Sequence, residues 1–308
     1  MTGRTNVLLF LVLAVIWGVA FAAISAGLAY LPPVLFAAIR YDIAGVLVLA
    51  YAAWRVEYWR PRTRADLLAV LVGGTVVIGA YNALLFVGQQ SVTAAVAAVV
   101  IATNPILATG FARGLLPAER LSLTGVTGLL IGLLGVGFVA RPDPSNLLAS
   151  DVVGTLLVLG AAVSVALGSV LVQRLDPSIS TEGMTGWSNL LGAGCLHLVS
   201  LSLPGESFAA AVWSAEALFA LAYLAILASA VGYLIYFELL SRVGSIQVTL
   251  ISYATPVFAA VGGYFWVGET IDLATVGGFC LICVGFALVK RRAIRTEGLR
   301  LAALFGRG

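Results

Sequence analysis

Apolar residues along this chain come in runs of about twenty, separated by short polar stretches, with no sustained alternation of period two. An α-helix needs such a run to cross a hydrocarbon core ~30 Å thick at ~1.5 Å per residue. Ten runs are legible: residues 7–28, 33–54, 67–88, 92–112, 122–140, 151–173, 181–203, 215–238, 244–267 and 273–289. The missing two-residue period argues against a transmembrane barrel. Asp66, Asp151, Glu216 and Asp272 stand where a span should begin, and a carboxylate there suits the positive end of a helix dipole. Residues 89–91 leave little more than a turn, so spans three and four are expected to form a tight antiparallel hairpin. The start of the chain, Arg4 before an apolar run with Ala20-Phe21-Ala22, has features of a signal peptide. The run continues to Leu28, however, and a retained first span is the expectation.

Composition strengthens the membrane reading. Apolar residues make up 61% of the 308 and charged residues 10%, with mean hydropathy +1.07. Soluble domains carry roughly 25% charged residues, so this chain cannot cover a water-facing surface. Disordered, collagen-like and disulfide-scaffold classes are excluded on the same grounds. The net charge of +3 is unremarkable until the charges are placed. With the N-terminus in the cytoplasm, fifteen of the 17 lysines and arginines fall in inside segments, and Arg141 is the exception among the connections. Both termini are therefore expected in the cytoplasm of a multi-pass plasma-membrane protein. The tail from 292 to 308 reads as a basic anchor, with a short amphipathic helix on the inner leaflet as the alternative.

The chain also repeats itself. At an offset of 151, Phe86 matches Phe237, Val92 matches Val243 and Pro105 matches Pro256. At 150, Glu119 matches Glu269, Gly128 matches Gly278, Gly135 matches Gly285 and Arg141 matches Arg291. Residues 1–141 and 151–291 thus read as two five-span copies. Five is odd, so the copies enter the bilayer in opposite senses. Inverted copies around a shared site are the architecture of alternating access.

These features together resemble the EamA-type carriers of the drug/metabolite transporter superfamily, over roughly residues 7–291. The resemblance is carried by Ala14-Val15-Ile16-Trp17-Gly18, Phe36-Ala37-Ala38-Ile39-Arg40, Asn104-Pro105 and Glu119-Arg120-Leu121 before a glycine-rich span. The second copy carries it through Thr255-Pro256, Gly268-Glu269-Thr270 and Gly277-Gly278. It implies a bundle of ten transmembrane helices that exports or exchanges small metabolites, amino acids among them, without ATP. Ser164 stands where Trp17 would align, so a symmetric aromatic pair is absent.

Polar groups within spans must face the bundle or a watery hollow. Trp17, Asn82, Asn104, Tyr233 and Thr255 are the candidate solute-binding residues, from spans that the resemblance places around a central cavity. Thr103, Ser164, Ser169, Ser252, Tyr81, Tyr236 and Tyr253 are further wall candidates, with interhelical hydrogen bonding as their competing role. Pro105 and Pro256, at matched positions, are candidate hinges, since each removes a backbone N–H and frees a carbonyl. Arg40 is expected to form a structural ion pair or reach toward the membrane surface, with direct solute contact as the alternative. Asp42 and Glu238 are the few carboxylates within span limits that could carry a coupling proton, with simple solvation near the cytoplasmic end favoured for Glu238, and no proton coupling is assigned. Gly128, Gly132, Gly135, Gly277, Gly278 and Gly285 read as scaffold and as a possible homodimer face. Cys280 and Cys283 form a formal C-x-x-C without a second ligand pair, and His197 is expected to make an interhelical hydrogen bond. No phosphate-cradling G-x-x-x-x-G-K-[ST] occurs, no metal or cofactor is expected, and nothing points to nucleic acid. A non-transport receptor or scaffold stays open beside transport, as does an intramembrane enzyme.

Overall fold

The computed structural model describes residues 2–116, 123–140, 149–243, 248 and 250–289. The Glu119-Arg120-Leu121 signature, Arg141 and the tail from 290 lie outside the described residues. Among the described residues there is no strand and there are ten principal helices. They are α1 (Thr2–Leu28), α2 (Pro33–Arg55), α3 (Arg64–Gly88), α4 (Ala94–Leu115) and α5 (Leu123–Ala140), then α6 (Ser150–Leu175), α7 (Thr181–Ser202), α8 (Ala215–Val243), α9 (Ile251–Val267) and α10 (Leu273–Val289). Six of them, α1 to α4, α6 and α8, are long and apolar enough to cross a membrane, and α5, α9 and α10 are shorter apolar helices. Leu8, Leu134, Leu201, Phe265 and Leu273 are exposed on the outside of the bundle, as expected where the solvent is lipid.

Helix starts follow local chemistry. Thr63 and Asp66 form a reciprocal capping box at α3, and Asp272 Oδ1 accepts the Thr275 N–H at the start of α10. Asp151 and Glu216 occupy the first turns of α6 and α8. Between α3 and α4 the chain turns through residues 89–93, and Gln89 reaches back to α1, donating to the Phe21 carbonyl at 2.5 Å and the Ser25 hydroxyl at 3.0 Å. The first span is packed into the core, with Ala22 and Ala23 inaccessible.

Two helix crossings are made by small residues in reciprocal pairs. A methyl on Gly128 would lie 2.6 Å from the Gly285 carbonyl, and one on Gly135 would lie 2.7 Å from that of Gly278. Gly278 and Gly285 face Gly135 and Gly128 in return, so α5 and α10 touch backbone to backbone. Across α2 and α7, Gly45 receives Leu190 while Gly186 receives Leu49. The remaining pattern exchanges partners: α1 packs on α8 and α9, whereas α6 packs on α3 and α4. Gly18 lets α1 meet α9 at Thr255 and Phe258, and Gly88 and Gly154 do the same for α3 and α6.

Both α3 and α8 change from α-helical to π-helical hydrogen bonding midway, over Gly73–Ala80 and Tyr223–Val231. Shifted by the repeat offset of 151, the first segment falls on residues 224–231, so the two coincide. A π turn widens the ring and leaves carbonyls free for other donors. α9 ends in a third such segment, Gly263–Val267.

The matched prolines differ. Pro105 opens the second part of α4 after a break at Ala102–Thr103, while Pro256 lies inside the helical run Ile251–Gly262. One proline begins a segment and the other interrupts one.

Candidate functional site

The interior between α1, α2, α3 and α8 holds a cluster of aromatic rings around one cation. Arg40, on α2, is only 8% exposed. Its Nε donates to the Ser229 hydroxyl at 3.1 Å, inside the π-helical part of α8. The guanidinium carbon lies 4.8 Å from the Tyr41 ring centre and 5.9 Å from that of Phe86. Tyr81 and Tyr233 lie within electrostatic reach of Arg40 and Tyr41. Trp17 extends the cluster, its ring centre 6.2 Å from Tyr233 and 5.5 Å from Tyr236. The indole N–H donates to the Ala228 carbonyl at 3.0 Å. Gly232 leaves the space the indole needs, since a methyl there would sit 2.7 Å from its nitrogen.

The expected ion pair of Arg40 is not formed: among the described residues no carboxylate lies within 4.0 Å of it. The reason is visible in the helix. Positions 36, 37, 43 and 44, which share its face at helical spacing, are Phe, Ala, Ile and Ala. Asp42 points away and meets His197 of α7, with Nε2 and Oδ2 2.7 Å apart. That contact is the interhelical bond expected of His197. Glu238, the other candidate for a coupling proton, pairs with Arg242 one turn along at an exposed site.

Of the five expected binding residues, Trp17 and Tyr233 are in contact. Thr255 is buried on α9 beside Gly18, one residue from Trp17, and its hydroxyl donates to the Ile251 carbonyl of its own helix. Asn82 is inaccessible, and its Nδ2 donates back to the Ile78 carbonyl at 2.7 Å. Asn104 stands at the break in α4. Thr103 and Ser169 also bond to their own helices, while Ser164 crosses to α3 and donates to the Val76 carbonyl at 2.8 Å. Several hydroxyls and amides within spans thus satisfy local backbone, whereas Trp17, Ser164, Arg40, Tyr223 and the Asp42–His197 pair make polar contacts between helices.

Several buried polar atoms keep no partner. Among the described residues they include Asn82 Oδ1, Asn104 Oδ1, the Tyr253 hydroxyl and both amide atoms of Asn189 on α7. Buried polar atoms are nearly always satisfied in folded proteins, so these atoms keep hydrogen-bonding capacity that no protein group uses. Asn189 escapes a sequence reading because a single amide in a glycine- and leucine-rich span carries no pattern. Tyr41 and Ser229 were equally invisible, since their importance comes only from facing Arg40 across helices.

Each end of the bundle carries a carboxylate clamp. At the end holding Tyr30, Glu206 accepts the Val34 and Leu35 N–H groups at 3.0 and 2.9 Å, capping α2. At the opposite end Asp66 is inaccessible and accepts five donors. The Tyr58 hydroxyl at 2.5 Å and the Arg62 and Thr63 N–H groups reach one oxygen; the Ser178 and Ile179 N–H groups before α7 reach the other. Beside this clamp Trp187 donates to the Trp59 carbonyl and stacks on its ring, with centres 6.2 Å apart. Tyr58 itself is pushed above the ordinary tyrosine value, chiefly because its hydroxyl is committed to Asp66. Tyr30 is pushed the same way by its hydrogen bond to Glu216.

Comparison with known proteins agrees with this architecture. The EamA-like transporter family matches the chain twice, over residues 4–141 and 152–291. An uncharacterized transporter of Bacillus subtilis, YvbV, is 28% identical over 286 residues, covering 93% of this chain and 92% of that protein. The uncharacterized inner membrane transporter YedA of Escherichia coli K12 is 30% identical over 278 residues, covering 90% and 87%. A crystal structure shares the fold at a TM-score of 0.65 and 23% identity, covering 96% of this chain and 99% of the other. A family match of both copies, joined to an all-helical bundle of apolar spans, places the chain in the EamA-like transporter family of multi-pass membrane proteins.

Proposed function

We propose that this protein is a secondary transporter that exports small metabolites by alternating access between two inverted five-helix halves, residues 1–141 and 151–291. The observation that carries the reading is the pair of coincident π-helical segments. Each offers a backbone carbonyl to the first helix of the opposite half, Ala228 to Trp17 and Val76 to Ser164. Both segments lie where helices of different halves pack, so a rearrangement of one half on the other must exchange these bonds. The reciprocal glycine crossings of α5 with α10 and α2 with α7 supply axes about which such a movement can occur.

The direction of the helices supports inversion: α6 begins beside the end of α3, with Gly154 against Gly88, while α1 ends at that same side through Gln89 and Phe21. The Asp66 end carries Arg55, Arg60, Arg62 and Arg64, a charge asymmetry that supports a cytoplasmic Asp66 end in a plasma-membrane protein. The Tyr30 end then faces outward. The partnerless amide oxygens of Asn82, Asn104 and Asn189 are the groups we assign to a polar solute passing between the halves.

Counterflow in proteoliposomes tests the proposal, using a panel of amino acids, nucleosides, organic anions and cationic drugs. At least one solute class should exchange saturably, and replacing Trp17 or Asn104 by Ala should change its apparent affinity or rate. Folded protein that moves no solute above protein-free vesicles would falsify transport. Unchanged flux in both variants would remove these residues from the pathway.

A further inference from the structure

We propose that Arg40 is the anchor for a negatively charged group and that the solute is a net anion, a carboxylate or sulfonate on a small apolar or aromatic body. The inference rests on the transport reading above and adds to it the chemical class of the cargo. Arg40 lies about seven residues into α2, roughly 10 Å from the Tyr30 end, and is more than nine-tenths buried. A guanidinium stays charged at any pH a cell presents, so burial cannot be relieved by losing the proton, as it can for lysine. Its described partners are all neutral: the Ser229 hydroxyl and the faces of Tyr41 and Phe86. One hydrogen bond to Nε leaves the forked pair of terminal nitrogens free for a planar two-oxygen acceptor.

The carboxylates that might neutralise it are engaged elsewhere. Asp42 holds His197, Glu238 holds Arg242, and Asp66, Glu206, Glu216 and Glu269 are bonded to donors at the two ends of the bundle. A buried charge without a counter-ion is costly, and it is retained where function uses it. The surrounding rings of Tyr41, Phe86, Tyr81, Tyr233 and Trp17 supply flat apolar walls. None of the groups described around Arg40 is a carboxylate that would take an ammonium. A zwitterion would therefore bring a second cation toward rings that already face one. A net anion needs no such partner.

The test uses the full-length protein in vesicles of phosphatidylcholine alone, so that no anionic headgroup competes for the site. Binding of benzenesulfonate and benzoate is compared with benzamide and phenylalanine, for wild type, Arg40→Gln and Arg40→Lys. Both anions should bind saturably, benzamide and phenylalanine about tenfold or more weakly, with Arg40→Gln losing a similar factor for the anions and Arg40→Lys retaining part of it. Ligand-free Arg40→Gln should unfold at the same or a higher temperature than wild type, because no native ion pair is broken. No saturable binding of either anion, equal binding of benzamide, or undiminished anion binding by Arg40→Gln overturns the proposal. So does a lower unfolding temperature of that variant, which marks Arg40 as structural. Counterflow in the same vesicles separates the two readings. Carrier-mediated flux without anion preference removes the anion site and leaves transport. Anion binding without flux of any solute removes transport and leaves the site.

Discussion

Trp17 and Ser164 occupy corresponding positions on α1 and α6, and both donate to a carbonyl in the π-helical segment of the opposite half. The backbone device is the same in the two halves; the side chains are not. Trp17 brings a large ring that packs on Tyr233 and Tyr236 and closes one side of the Arg40 cluster. Ser164 brings a hydroxyl alone, with Gly168 one turn further on fitting closely against Val76 and Val77. The same contrast recurs in the following helices, where Asn82 corresponds to Tyr233 at the repeat offset. The comparison separates two layers of this molecule. The seams between the halves recur in both copies, whereas the cation and the aromatic rings around it are drawn unequally from them. A duplicated frame can therefore hold a site with one cation and one aromatic side.

The seams should respond most strongly to substitution, and equally in both copies. Gly285→Val on α10 and Gly135→Val on α5 each force a branched side chain against backbone of the partner helix, at ideal positions of 2.6 and 2.7 Å. Each is expected to cost about 3 kcal/mol or more, beyond ordinary overpacking, because backbone cannot yield as a side chain can. Thermal unfolding of the purified protein measures it. A large effect at one glycine and none at the other breaks the claim that the seam is symmetric.

The clamps come next and are expected to differ. Asp66→Ala strips acceptors from five donors at an inaccessible site, against two donors for Glu206→Ala. Unsatisfied buried donors cost about 1–3 kcal/mol each, reduced where water enters. Asp66→Ala should therefore lower stability by about twice as much as Glu206→Ala in the same unfolding assay. Cysteine labelling near each clamp should then report opening of the end that was cut and not of the other. Equal losses would mean that the two ends are held alike.

Much of the frame was legible in the sequence for a simple reason: apolar run length and glycine spacing are properties of one segment at a time. The ten helices, six of them long and apolar enough to cross a membrane, the caps at Asp66 and Asp272 and the α3–α4 turn all follow from residues close together in the chain. The matched glycines of spans five and ten were legible too, although their contact is with each other within the chain. The site is different, because it is made by facing helices. Arg40 was visible as a buried cation, but the expected ion pair fails because no carboxylate shares its helix face and the facing helices bring Ser229 and Phe86 to it, beside Tyr41, instead, which only the assembled bundle determines. Thr255, Thr103 and Asn82 look like free hydrogen-bonding groups in sequence and turn out to bond their own helices. The π-helical segments have no local signature at all.

The two first-helix donors sharpen the comparison at smaller cost. Trp17→Phe and Ser164→Ala each remove one hydrogen bond to a π-segment carbonyl, worth about 1 kcal/mol. Stability should fall by similar amounts in both. Solute exchange should change only for Trp17→Phe, because Ser164 lies on the side of the frame without the ring cluster. Counterflow rates set beside unfolding temperatures separate the two effects. An equal loss of exchange in Ser164→Ala would place the solute between both segments and make the site symmetric after all.

The smallest effect concerns Glu269, in the connection between α9 and α10, which accepts the Ala94 N–H at 2.8 Å and so ties the second half to the start of α4. Burial raises its carboxyl above the ordinary glutamate value, more than the Ala94 and Ser25 hydrogen bonds lower it. The native state therefore holds this proton more tightly than the unfolded chain does. Its contribution to stability is complete below the unfolded glutamate value and is lost as pH rises through the higher native value. Unfolding temperature followed upward from about pH 4 should show a shallow fall in that window, and Glu269→Gln should flatten it while keeping an acceptor for Ala94. A wild-type profile that instead rises through the window would mean that the two hydrogen bonds outweigh burial and that this connection is locked by its charge.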